Sequence, residues 1–409
     1  MPAANGEAED GTGGHGVRRR TFLGLLGAGA AGAAIGAGAA TAIDAARDSD
    51  ATASGDRTVP FYGDHQAGIA TPPPANAEFV AFDIVDGASR AEIRALLQDW
   101  TGLAAALAAG EEHPADPVPQ LAADPALLTV TVGFGPRFFD LVGLAEERPA
   151  GVAVFPPFEQ DELQPEFSDG DVLLQICAAD PVAVSHAVEA LTAAAVGTAA
   201  VRWRQQGFRH ASAAAQGETA RNLMGQKDGT ANDPADSERF ASTVWASGVE
   251  YPSWYQGGTT LVLRRIRMDL SSWGAAEVRT RERVIGRTLD TGAPLGESGE
   301  FDPVPLNAQT ADGTLQIPSS AHVRIAHPDT NSGARMFRRG YNYAEPGESG
   351  LLFVAIQADA TRGFIPVMSR MAFGDDLNRF VTHVGSAAFA LPPGISPGGY
   401  WGETLLEGG

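Results

Sequence analysis

Three short segments of this chain carry residue types that could do chemistry together. The first, Asn222-Leu223-Met224-Gly225-Gln226-Lys227-Asp228-Gly229-Thr230, sets a carboxylate between glycines. Glycine permits turns that other residues resist, so Asp228 can be aimed into a cavity while the backbone passes close to a flat ligand. Asp-Gly by itself also marks an ordinary surface turn. The second, Ser320-Ala321-His322-Val323-Arg324-Ile325-Ala326-His327-Pro328, offers two imidazoles that compete for a metal-binding role. A histidine presents Nε2 to a metal when another acceptor fixes its Nδ1. Read as a strand, this segment puts His322 and Arg324 on one face and Val323 and Ile325 on the other, and it ends near His327, ahead of Pro328. The third, Met336-Phe337-Arg338-Arg339-Gly340-Tyr341-Asn342-Tyr343, sets two arginines between hydrophobic residues. Burying them is costly unless they face an anion or a polar reactant; on a solvated strand they would be a plain surface pair.

These segments need a scaffold, and after Pro60 strands and helices alternate. Apolar and β-branched runs predict strands over 79–85, 127–134, 171–177, 199–205, 259–268, 322–325 and 351–357. Helical spacing predicts helices over 90–108 with Ser89 as N-cap, 181–195, 273–285, and a short one around 375–381. Two blocks of strands with helices on one face imply an α+β protein built from a duplicated unit, its two antiparallel sheets packed together. VLLQICAAD at 172–180 echoes LFVAIQAD at 352–359. Residues 207–257 lack periodicity and hold the Asp228 motif, so they read as a functional connecting loop between modules at 60–206 and 258–409.

The first 42 residues read as an address. Arg18-Arg19-Arg20-Thr21-Phe22-Leu23 precedes a stretch of mostly Ala and Gly, and Ala40-Thr41-Ala42 offers a small-x-small cleavage site. Arg19 and Arg20 match the pair of a twin-arginine export signal. The stretch is too weakly hydrophobic for a permanent membrane span. That route carries proteins already folded, which suits an enzyme loaded with a cofactor before export. Residues 43–59 read as a disordered linker.

Composition narrows the function further. The chain has 409 residues, 44% of them hydrophobic, enough for two modules with real cores. Its net charge of −21 repels phosphate backbones and anionic lipid, which argues against nucleic-acid binding. Cys177 is the single cysteine, so no disulfide framework, cysteine-rich zinc site or iron–sulfur cluster can be built. It sits in an apolar run and reads as a buried small hydrophobe.

The motifs also fall into a recognised order. Phe61-Tyr62-Gly63-Asp64-His65-Gln66-Ala67-Gly68-Ile69, Gly225-Gln226-Lys227-Asp228-Gly229, Val284-Ile285-Gly286-Arg287, His322-Val323-Arg324, Arg338-Arg339-Gly340-Tyr341-Asn342-Tyr343 and Gly350-Leu351-Leu352-Phe353 together resemble the dye-decolourising peroxidases. With its leader, the chain is similar to the exported branch that includes the deferrochelatase-like proteins. The resemblance implies two ferredoxin-like modules of the dimeric α+β barrel type, with haem b in the second half. It makes His322 the proximal ligand to haem iron, Asp228 the distal carboxylate and Arg338 the distal arginine. Gly229, Thr230 and the turn His327-Pro328-Asp329 would line the haem, although His327 stands where the family commonly has Asn. Asp375, with Asp376 beside it, would accept the hydrogen bond from the proximal histidine. The implied reaction reduces hydrogen peroxide while oxidising dyes, phenolics or other bulky donors. Electrons could travel through Trp203, Trp245, Trp254, Trp401, Tyr341, Tyr343 or Tyr400. The alternatives are a haem-handling protein that releases iron, and a haem-free binding module of the same fold. Export machinery is an implied partner, and homo-oligomers are compatible with the resemblance.

Overall fold

Residues 57–155, 157–210 and 218–408 are described by the computed structural model. The leader expected at 1–42 and most of the linker expected at 43–59 lie outside the described residues. Within them, the runs rich in β-branched and aromatic residues form strands. These are β1 Asn76–Ile84, β2 Thr129–Phe134, β3 Val172–Ala178, β4 Ala199–Phe208, β5 Thr259–Met268, β6 Phe337–Arg338, β7 Tyr341–Glu345, β8 Glu348–Gln357 and β9 Val381–Leu391. The predicted strand at 322–325 is instead a helical turn, His322–Ile325. With no strand alongside to pair with among the described residues, the segment closes local hydrogen bonds instead: Ala326 N donates to His322 O at 2.9 Å. The predicted helix at 273–285 is two helices, Leu270–Ala275 and Val278–Ile285, broken at Ala276-Glu277.

All strand pairings are antiparallel, and they close on themselves. The first four strands lie in the order β2-β3-β1-β4. The second set lies in the order β7-β8-β5-β9, and β5 pairs with both β8 and β9. The outer strands of the two sets then meet: β2 joins β9 at Phe134↔Ala390, and β4 joins β7 at Phe208↔Asn342. The two sheets expected to pack together therefore do face each other, but they are also joined edge to edge into one closed, barrel-like sheet. Closure pairs edge groups that two separate sheets would leave open. β6 and β7 both lie along β8, interrupted at Arg339-Gly340, so residues 337–345 form one broken strand.

Phe79, Leu173, Trp203, Leu263, Tyr341, Leu352 and Phe389 fill the barrel interior from both sets of strands. The outer face of β1–β4 is covered by the Arg90–Ala109 and Pro181–Ala194 helices. Ser89 caps the first in a capping box with Glu92, and Ile93, Leu96, Leu97 and Trp100 are its buried stripe. The outer face of β5, β8 and β9 is covered only in part. Phe364 and Met368 of the Phe364–Gly374 helix pack there on Val262, Ala355 and Ala388. Beyond that patch the sheet forms the floor of a cavity. Among the described residues no helix is long and apolar enough to cross a membrane.

Candidate active site

The Asp228 loop is built to hold one carboxylate out of its own hydrogen-bond network. Gly225 and Gly229 take φ values of +80° and +115°, turns that a side chain resists. Asn222 organises the first turn: Gly225 N donates to its carbonyl at 2.9 Å and Met224 N to its Oδ1 at 3.0 Å. Trp273 Nε1 pins the loop to the Leu270–Ala275 helix through the Met224 carbonyl at 2.8 Å. The neighbours of Asp228 are tethered together, since Lys227 pairs with Glu300 and Thr230 Oγ1 donates to the same carboxylate at 2.9 Å. Burial pushes Glu300 up, but the hydrogen bonds from Lys227, Thr219 and Thr230 outweigh it and hold the carboxyl below its usual range. Asp228 itself is fixed through its backbone N–H, 2.9 Å from Ala220 O, and its side chain lines the cavity.

His322 enters the same cavity from its helical turn. Its Nδ1 lies 2.6 Å from Asp375 Oδ2, which leaves Nε2 for the cavity. Asp375 has only 1% of its side chain accessible, and its other oxygen accepts from Leu377 N at 2.8 Å. Of the two adjacent acids, it is Asp375 that meets the histidine; Asp376 accepts from Ser320 Oγ at 2.6 Å. Burial pushes the His322 imidazole down, but the charge and hydrogen bond of Asp375 prevail and raise its pKa. The strand reading that put Arg324 beside His322 fails with the strand. Arg324 turns away and anchors the preceding segment through the Ile317 and Leu306 carbonyls.

Arg338 and Arg339 part company at the break between β6 and β7. Arg338 lines the cavity, and Asn232 holds its backbone from both sides. Among the described residues its guanidinium meets no carboxylate at ion-pair distance; it faces Arg287, which burial and Arg338 itself push below the usual arginine range. Arg339 is fully buried on the other side of the sheet, inside the barrel, and takes no part in the cavity.

The cavity has a volume of about 410 Å³, within the few-hundred-Å³ range of sites for drug-sized ligands. Its floor and sides are apolar, with Ile266, Met268, Leu351, Phe353 and Met368 prominent. Gly229, Thr230, His327 and Pro328 line the cavity, while Asp329 does not: its side chain is 75% accessible and points to solvent. His327 is held neutral-leaning, its pKa lowered by burial, and its Nδ1 accepts from Asp329 N at 3.2 Å. A side chamber of about 50 Å³ adjoins Asp228 and Arg338 and is rimmed by Arg209, Arg221 and Asn342.

Four contributors escaped sequence reasoning. His383 on β9 reaches the cavity floor, and Arg264, paired with the buried Asp161, sits behind it with Nε 3.4 Å from His383 Nδ1. Arg287 was part of a quoted motif without a role, yet it faces the cavity with Nη1 bound to the Gly292 and Glu300 carbonyls. Asn232 gave no signal beyond its closeness to Asp228, since its partner is 106 residues away.

Known proteins share this chain's sequence and fold. Residues 66–209 match the model of the Dyp-type peroxidase N-terminal domain, and residues 219–396 that of the Dyp-type peroxidase C-terminal domain. A dye-decolorizing peroxidase of Thermobifida fusca is 44% identical over 424 residues, spanning 96% of this chain and 98% of the relative. A deferrochelatase of Escherichia coli K12 is 34% identical over 372 residues, 85% of this chain and 87% of the relative. The crystal structure of a DyP-type peroxidase from Cellulomonas bogoriensis superposes with a TM-score of 0.81 at 44% identity, covering 87% of this chain and 99% of that one. The class is thus a haem-dependent peroxidase. The chain belongs to the dye-decolourising, or Dyp-type, peroxidase family.

Proposed function

We propose that His322 is the residue that ligates haem iron in this peroxidase, and that Asp228 and Arg338 act on the peroxide. The enzyme reduces hydrogen peroxide at the expense of an organic donor, and haem is its cofactor. The cavity fits that group. Its apolar walls suit a porphyrin face, and it holds one imidazole whose Nδ1 is already engaged by a carboxylate, the arrangement that orients a histidine toward a metal. Haem, when bound, supplies the iron that exchanges electrons with peroxide and with the donor. The observation that carries the reading is the meeting of His322, Asp228 and Arg338 in one cavity.

The protein's own part follows from these positions. Asp375 holds the Nδ1 proton of His322 and makes the imidazole a stronger ligand. Asp228 takes a proton from one peroxide oxygen and returns it to the other, so that water can leave. Arg338 places a fixed positive charge beside the oxygens as they part and negative charge develops. The side chamber next to both residues has room for peroxide or water, and none for a dye. The test is the absorption spectrum of the purified protein and peroxide-dependent oxidation of a dye. Release of iron with intact porphyrin, and no dye turnover, would favour the deferrochelatase-like reading instead.

Two wider proposals accompany this one. The two sets of strands read as copies of one ferredoxin-like unit: numbered within each set, both run 4-1-3-2 across the sheet. Export by the twin-arginine route rests on Arg19, Arg20 and the Ala/Gly-rich stretch after them. Changing both arginines to lysine should leave folded precursor inside the cell; mature protein still appearing outside would sink that proposal.

A further inference from the structure

Two of the other buried arginines have carboxylate partners, and a third, Arg287, is held by backbone carbonyls at the edge of the cavity. Arg264 pairs with Asp161, and Arg265 with Glu345 and Glu348. Arg339 has none among the described residues, although it is fully buried within the barrel. Its Nη1 donates to the Ile69 and Thr71 carbonyls, while among the described residues Nε and Nη2 meet no oxygen or nitrogen acceptor and have only the Cys177 thiol beside the guanidinium. Its surroundings are Cys177, Tyr341 and a second guanidinium, Arg209, so the local charge is positive twice over.

Among the described residues no carboxylate reaches Arg339 at ion-pair distance; the Asp228 carboxylate acts on Arg209 from the cavity side. Burial raises the pKa of both the Cys177 thiol and the Tyr341 phenol, so both stay protonated, and the phenol donates to Sγ at 3.6 Å. Thr129, paired across the sheet with Cys177, has a buried hydroxyl without a partner. Gln175, two residues along β3 and on the same face, has an unpartnered Oε1. Native interiors leave few polar groups unpaired, and a lone buried charge is far costlier than a lone hydroxyl. Water at this spot would satisfy the two N–H groups and leave the charge in place.

We propose that the barrel interior binds one small monovalent anion, of halide size, on Nε and Nη2 of Arg339 beside Cys177, with the Thr129 hydroxyl as a further donor. The fully buried Phe79, Leu173 and Tyr341 packed in this interior argue against a larger oxyanion. The site is independent of the cofactor cavity, which lies on the outer face of β5, β8 and β9.

The test uses the intact holoenzyme. Crystals grown in sodium bromide should show an anomalous peak at hydrogen-bond distance from Arg339 Nε and Nη2, and exchange into chloride should remove it. Thermal unfolding should occur at higher temperature in sodium chloride than in sodium gluconate of equal ionic strength, and that difference should vanish in Arg339→Met and shrink in Thr129→Val. A non-anomalous water at that position in bromide crystals would overturn the proposal. So would a chloride–gluconate difference that survives in Arg339→Met. Should Arg339→Met not fold, the wild-type crystals and Thr129→Val still decide.

Discussion

The side-chain amide of Asn232 pairs with both backbone polar groups of Arg338: Oδ1 accepts from N at 3.0 Å and Nδ2 donates to O at 2.7 Å. This ties the loop that carries Asp228 to the broken strand that carries Arg338, across 106 residues of sequence. The base and the cation are thereby set relative to each other by one amide. Asn232→Ala should slow the peroxide-dependent spectral change by about tenfold to a hundredfold, because small misplacements of reacting groups cost that much. Haem content should not change. A stopped-flow rate equal to wild type would show that the clamp positions nothing.

Asp228 and Arg338 should each cost about a hundredfold to ten-thousandfold when removed, so size will not separate them. Dependence on pH will. In Asp228→Ala the rate with peroxide should climb toward alkaline pH, as hydroperoxide anion takes over from the missing base. In Arg338→Leu the base remains and that steep alkaline rise should be absent. Stopped-flow traces across pH decide; wild-type rates in both variants would remove both residues from the chemistry.

The two histidines of the 320–328 segment should behave differently. His322→Ala should lose tight haem binding or its histidine-ligated spectrum, whereas His327→Ala, whose Nδ1 serves the turn at Asp329 N, should keep both. Haem titration of the two variants checks this, and the reverse result would exchange their roles.

Stability against pH should show two opposed histidine contributions in the cofactor-free protein. His383 is held neutral, its pKa well below the ordinary value through burial, then Arg264, then His322. A depressed folded pKa means that its contribution is intact above the unfolded value of about 6.5 and is lost as pH falls below it. For His322, whose pKa Asp375 raises against the pull of burial, the contribution is intact below about 6.5 and is lost as pH rises through the folded value. His383→Gln should therefore flatten the acid side of a urea-unfolding series and Asp375→Asn the neutral-to-alkaline side. Parallel curves in all three proteins would contradict both assignments.

Much of the scaffold was legible because its patterns are local. Ser89 caps its helix with Glu92 three residues on, and Thr259–Met268 forms a strand with the bounds its apolar run implies. β9 was not legible: Val-Thr-His-Val-Gly-Ser-Ala-Ala-Phe-Ala-Leu has small residues where a strand would show alternation, and its place between β5 and β2 supplies what propensity does not. The geometry of His322 was misread for a related reason. A four-residue stretch cannot declare its period, so only the lack of a pairing strand makes it a helical turn. Closure of the sheet was equally invisible, since it depends on contacts between Phe134 and Ala390 and between Phe208 and Asn342 that no local pattern encodes.

Those two contacts give the barrel a grain. Within each set of strands the ladders run for many residues, eight registered pairs between β5 and β8 alone, whereas among the described residues each seam is a single registered pair. Fluctuations that part the wall will follow the seams and leave the ladders whole, as wood splits along its length. The floor of the cofactor cavity belongs to β5, β8 and β9, inside one plank, so it stays intact when a seam opens, while the interior around Arg339 and Cys177 is what such an opening wets.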